Sequence, residues 1–154
     1  MTALLVVCLG NICRSPMGQG ALEAAIAASP LAGRVRVDSA GTGGWHVGRP
    51  PDPRAQACAL RHGVDISRQR ARQLVAADFE SFDWLLCADA DNLAYVRALA
   101  PPGRENRAVL WLEWAGQGAG RQLPDPYYGA DAGFDVVWQL ATAAAAGSIE
   151  RLAR

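Results

Sequence analysis

The 154-residue sequence contains no lysine; all 15 cationic side chains are arginine. Walker-type phosphate loops and Schiff-base chemistry both need a lysine amine, so both are excluded. Formal net charge is zero, which gives no electrostatic case for nucleic acid or an anionic membrane surface. No apolar run approaches the roughly 18 residues of a membrane-spanning helix. The N-terminus has neither a cationic segment nor a long apolar one, so a cytoplasmic protein is expected, with only a signal-less route left for secretion. Histidine is scarce, with only His46 and His62. The four cysteines, Cys8, Cys13, Cys58 and Cys87, form no Cys-x-x-Cys pair, which argues against a zinc site. A chain of this size buries enough core without disulfides, which fits a reducing compartment. The excess of arginine and alanine suggests a GC-rich bacterial genome.

What the sequence does have is 51% apolar residues and one distinctive stretch, Cys8-Leu9-Gly10-Asn11-Ile12-Cys13-Arg14-Ser15. It follows the apolar run Ala3 to Val7 and precedes an alanine-rich helical segment, Met17 to Ala28. A cysteine and an arginine therefore sit on a loop between a buried strand and a helix N-terminus. Such a loop suits a phosphate monoester. The amides of Leu9, Gly10, Asn11, Ile12, Cys13 and Arg14 can converge on an anion, and the helix dipole adds roughly half a positive charge. Arg14 offers a planar, permanently charged clamp. Thiols at helix N-termini or beside cations titrate at roughly 3.5–7.5, so Cys8 is the candidate nucleophile. Gly10 lets backbone approach the anion, Asn11 tolerates left-handed geometry, and Ser15 is placed to donate to the Cys8 sulfur.

The rest of the chain reads as alternating strands and helices. Ala3–Cys8, Arg34–Ser39, Asp83–Cys87 and Arg107–Leu112 are the expected strands. Helices are expected before Pro30, over Arg54–His62, from about Asn92 to Leu99, and over Asp131–Leu152. The run Arg68–Arg72 reads as a solvated face. Asp89, Asp91 and Asn92 read as helix caps rather than catalytic groups. Cys58 and Cys87 read as buried and inert. These units predict an α/β three-layer sandwich: a four-stranded parallel sheet ordered 2-1-3-4, helices on both faces, flavodoxin-like topology, one domain over residues 1–154. The Cys8 loop then lies at the C-terminal edge of the first strand, at the switch point where ligands bind in such sheets. Two glycine- and proline-rich loops, Gly41–Pro53 with Trp45 and Ala115–Gly129 with Asp125, complete the inventory. Prolines on both sides stiffen the backbone around Asp125.

The loop Val7-Cys8-Leu9-Gly10-Asn11-Ile12-Cys13-Arg14-Ser15-Pro16 closely resembles the signature loop of the low-molecular-weight protein tyrosine phosphatases. The resemblance extends to Ser39-Ala40-Gly41-Thr42, Arg61-His62-Gly63 and Asp125-Pro126-Tyr127-Tyr128-Gly129, and so covers essentially the whole chain. It implies hydrolysis of phosphotyrosine through a phosphocysteine on Cys8, with Arg14 clamping the phosphate. It makes Asp125 the general acid and then the general base. It implies that Asn11, Ser15, Ser39 and His62 hold the loop in shape, although His62 before glycine also reads as a helix C-cap. Ile12, Trp45, Tyr127 and Tyr128 become the cleft walls. Cys13 becomes a redox partner that can form a disulfide with oxidised Cys8. No cofactor or metal is expected, because Arg14 and the amides do the electrostatic work. The expected partner is a phosphotyrosine protein, such as a bacterial tyrosine kinase or a host protein, met by a monomer.

Three rivals remain. A phosphoarginine phosphatase shares the fold and loop but has threonine where this chain has Ile12. An arsenate reductase of similar fold needs two further cysteines near the third strand, where Cys87 stands alone. A phosphate-binding module without turnover would not need Cys8, Arg14 and Asp125 together.

Overall fold

The computed structural model describes all of residues 1–154. The elements in chain order are β1 (Thr2–Cys8), α1 (Arg14–Ala27), β2 (Val35–Gly41), α2 (Pro53–Arg61), α3 (Asp78–Ser81), β3 (Trp84–Cys87), α4 (Ala90–Leu99), β4 (Ala108–Leu110), α5 (Trp111–Trp114) and α6 (Ala132–Leu152). The sheet is four-stranded, parallel and ordered β2-β1-β3-β4, the order and class expected from the sequence.

Strand β1 sits between β2 and β3 and is buried on both faces, which is why it reads as a continuous apolar run. Leu4, Val6 and Cys8 point into one core with Met17 and Leu22 of α1 and Phe134, Val137 and Ala141 of α6. Ala3, Leu5 and Val7 point into a second core with Phe79, Phe82 and Val96, from the α3–α4 side. This alternation makes the three layers. On the larger side α1 lies close to the sheet because residue 18 is glycine. A Cβ there would come within 2.9 Å of the Trp111 ring. No helix is long and apolar enough to cross a membrane.

Three expectations are corrected. The fourth strand is not Arg107–Leu112 but the three residues Ala108–Leu110, followed at once by α5. Arg107 closes a 3-10 turn and donates to the carbonyls of Phe79 and Phe82, so it ties the edge down rather than extending it. Trp111 turns into the core, where its Nε1 donates to Ser148 Oγ at 3.0 Å. The run Arg68–Arg72 is not wholly a solvated face. Arg72 reaches Asp78 at 3.1 Å and Asp38 at 3.3 Å, and its carbonyl accepts from Gly41 N. Finally, β2 runs past Ser39 to Gly41. At residue 41 a Cβ would meet the Leu9 carbonyl at 2.8 Å, so glycine allows this strand end to approach the Cys8 loop.

Candidate active site

The chain leaves β1 at Cys8 and enters α1 at Arg14, and the intervening loop is pinned from outside by its carbonyls. Cys8 O accepts from Thr42 N, Leu9 O from Gly43 N, and Ile12 O from Asp52 N, at 2.8–2.9 Å. By contrast, the amides of Leu9 through Cys13 donate to no group of the chain. Five consecutive unclaimed N–H donors ahead of a helix N-terminus make an anion cradle.

Asn11 is the one non-glycine residue with positive φ, at 56°. Its side chain holds that strained conformation. Nδ2 donates to Ser15 Oγ at 2.7 Å and to Ser39 Oγ at 3.0 Å, and Oδ1 accepts from Arg72 N at 2.9 Å. Ser15 Oγ in turn lies 3.0 Å from Cys8 Sγ, and Ser15 N donates to the same sulfur at 3.4 Å. The nucleophile candidate thus sits at the end of a buried chain, Ser39–Asn11–Ser15–Cys8. Ser15 meets the sulfur through both its amide and its hydroxyl, at the N-terminus of α1.

Arg14 is 3% exposed. Its Nη1 donates to Asp89 Oδ2 at 2.7 Å and to the Leu123 carbonyl at 3.0 Å. Its Nη2 lies 3.7 Å from Asp125 Oδ2. Asp125 Oδ1 accepts from Tyr127 N at 3.1 Å, which fixes the carboxylate within its turn. The loop carrying Asp125 is anchored where Leu123 N donates to Ala88 O, just beyond β3. Asp89 is a cap, as the sequence suggests, since Oδ1 accepts from Asn92 N at the start of α4. Its other oxygen holds Arg14, a role that sequence reasoning missed.

These groups open on one cleft of about 480 Å³. Cys8, Arg14 and Asp125 lie at it, with Ile12, Trp45, Tyr127 and Tyr128 among its walls. Tyr127 and Tyr128 meet edge to face at 4.9 Å, and Trp45 and Tyr128 are largely exposed at the rim. His46, not anticipated, also lines the cleft. Its ring lies over Gly10, where a Cβ would come within 3.0 Å of Cδ2. Arg54 is a second omission. It pairs with Asp52 through two nitrogens, donates to the Tyr127 carbonyl at 3.0 Å and lies over the Tyr127 ring. The Asp52-Pro53 sequence was a legible helix start, and Asp52 does cap α2 by accepting from Arg54 N. The reach to Tyr127 left no local signal.

One support residue is placed elsewhere. His62 caps the C-terminus of α2 and stacks on Trp138 of α6, with ring centroids 5.4 Å apart and planes 16° apart. The loop's polar partners are Asn11, Ser15, Ser39 and Arg72, so His62 is not among the groups bonded to it. The C-cap reading is the one the geometry fits. Cys13, the last residue of the loop, is buried, and burial pushes its thiol well above the usual range, with the charges of Asp52, Cys8 and Asp125 adding to the effect. Cys87 is pushed up to about 12, chiefly by burial.

The sequence matches the model of the low molecular weight phosphotyrosine protein phosphatase family over residues 3–154. A phosphatase of that name from Schizosaccharomyces pombe is 39% identical over 132 residues, spanning 85% of this chain and 84% of its own. A protein tyrosine phosphatase from Entamoeba histolytica, solved with Hepes in its active site, superposes with a TM-score of 0.94 at 30% identity, covering 99% of this chain and 97% of that one. Vibrio vulnificus Wzb in complex with benzylphosphonate superposes with a TM-score of 0.85 at 28% identity, covering 97% and 98%. With the sheet order, the loop and the whole-length match in agreement, the chain belongs to the low molecular weight phosphotyrosine protein phosphatase family.

Proposed function

We propose that residues 1–154 act as one catalytic unit that hydrolyses phosphotyrosine in proteins through a phosphocysteine on Cys8. The observation that carries the reading is the convergence of Cys8, Arg14 and Asp125 on a single aromatic-walled cleft beneath unclaimed loop amides. The phosphoryl group binds the amides of residues 9–13 and the free edge of Arg14, whose other nitrogen is held by Asp89. Cys8 Sγ attacks phosphorus, the S–P bond forms, and the P–O bond to the tyrosine breaks. Asp125 gives its proton to the departing phenolate oxygen. A water then attacks the phosphocysteine while Asp125, now a carboxylate, takes the water's proton. The S–P bond breaks, the sulfur leaves as thiolate held by Ser15, and inorganic phosphate departs. Charge on the equatorial oxygens is met by fixed dipoles and one guanidinium throughout.

Specificity for an aryl ester rests on Trp45, Tyr127 and Tyr128 at the mouth and apolar Ile12 within, which offer stacking area to a tyrosine ring. The bound benzylphosphonate of the Vibrio relative is an aryl-side ligand of the same kind. Steady-state hydrolysis of matched phosphotyrosine, phosphoarginine and phosphoserine peptides, with chelator present, tests this. Strong preference for phosphotyrosine is expected. Preference for phosphoarginine would keep the loop chemistry and overturn the specificity.

A further inference from the structure

The fold brings together three ligand-type side chains that the sequence keeps far apart. Cys58 and His62 lie four residues apart and so share one face at the end of α2. Asp135 faces them from the first turn of α6. Sulfur, imidazole nitrogen and carboxylate oxygen all lie within 4.8 Å of one another. The sequence reading set zinc aside for want of a Cys-x-x-Cys pair, but here the third ligand comes from another helix.

We propose that Cys58, His62 and Asp135 form a zinc site that clamps the C-terminal end of α2 to the N-terminal end of α6, outside the cleft that holds Cys8. The donor set selects the metal. One thiolate, one imidazole and one carboxylate suit borderline-soft zinc in a tetrahedral shell with a fourth, solvent position. Magnesium and calcium would ask for oxygen ligands throughout. In a tetrahedral shell neighbouring ligand atoms stand about 3.5 Å apart, so closure needs only a small inward turn of two side chains at the surface end.

The surroundings are those of a supported site. Cys58 is fully buried and its Sγ already points at Asp135 Oδ1, 3.3 Å away. Arg61 holds that same oxygen at 2.6 Å, which fixes the carboxylate beside the sulfur. Trp138 stacks on His62 and fixes the plane of its ring. Such outer partners orient ligands in metal sites generally. On binding, the zinc–sulfur bond replaces the Cys58 S–H bond, and the thiol proton leaves to solvent. The site then ties together the helix whose start is bonded to Ile12 of the loop and the helix that follows the Asp125 loop.

The test is cobalt(II) titration of the full chain carrying Cys8→Ser, which removes the catalytic thiolate as a competing ligand. A thiolate-to-cobalt charge-transfer band with tetrahedral visible bands is expected, displaced by zinc. Adding Cys58→Ser should abolish the band. His62→Gln, a surface change that leaves the buried face intact, should weaken cobalt binding roughly tenfold or more. Zinc should also raise the melting temperature of the Cys8→Ser protein but not of the same protein with Asp135→Asn. Absence of the band in the Cys8→Ser protein, its survival without Cys58, or unchanged affinity in His62→Gln would each overturn the site.

Discussion

Asp89 holds Arg14 with one carboxylate oxygen, at 2.7 Å, and caps α4 with the other. The Arg14 guanidinium is therefore aimed from the end of β3, 75 residues along the chain. Asp89→Asn separates the two jobs. Asparagine is as good an N-cap as aspartate, so the cap of α4 is kept, whereas the charge that orients Arg14 is gone. A drop in kcat of roughly tenfold to a hundredfold is expected. Asp89→Ala should show the same kinetic loss plus about 1 kcal/mol of destabilisation from the missing cap. Equal kcat in wild type and Asp89→Asn would reduce the contact to a structural one.

Asn11 carries the loop's shape. Asn11→Ala removes three hydrogen bonds from a buried position and leaves a non-glycine residue at positive φ. Destabilisation of about 2–3 kcal/mol is expected from the unpaired partners, measured by denaturant unfolding. Asn11→Gly loses the same bonds but relieves the backbone, so it should recover about 1 kcal/mol of that loss. If glycine were no better than alanine, the strain at this residue would be immaterial.

Much of the site was readable because it is local. Cys8 to Ser15 is one uninterrupted string, and strand, loop and helix signals follow each other in sequence. The sheet was readable because β1 and β3 are continuous apolar runs. The fourth strand was misread for a physical reason: Ala108 to Leu112 is apolar throughout, and a short apolar run has no period that separates a strand from a buried helical turn. Asp89 on Arg14, Arg54 on Tyr127, His62 on Trp138 and Asp135 beside Cys58 are contacts between distant elements. Each side chain has a sufficient local reading, as cap or surface charge, that hides its second partner.

Acid sensitivity should pass through Asp52. Hydrogen bonds from the Arg54 side chain hold its carboxyl below the ordinary carboxylate value, and partial burial opposes this. A group whose folded value is depressed contributes stability above its unfolded value, about 4, and loses it as pH falls through the folded value. Asp52→Asn, which still caps α2, should therefore melt below wild type at pH 6–8. The gap should close as pH falls below about 4. A gap that is constant across this range would mean that the Asp52 charge contributes nothing.

Oxidation should divide Cys8 from Cys13. Burial holds the Cys13 thiol well above its ordinary range, and by the proposed mechanism Cys8 is the reactive sulfur, so Cys8 should be the one that peroxide meets first. The sulfenic acid on Cys8 should then condense with the Cys13 thiol, forming a disulfide with loss of water. Wild type inactivated by peroxide should recover fully with dithiothreitol, whereas Cys13→Ala should not. Equal recovery in both would remove Cys13 from this role.

The central claim is that phosphate passes through Cys8, and rapid mixing with an excess of p-nitrophenyl phosphate tests it most directly. A burst of nitrophenolate equal to one per enzyme molecule is predicted where hydrolysis of the intermediate is slower than its formation, with quenched protein carrying one phosphoryl group on the Cys8 peptide. Cys8→Ser should give no burst and no turnover. Wild-type turnover by Cys8→Ser, or phosphate trapped on another residue, would contradict the account.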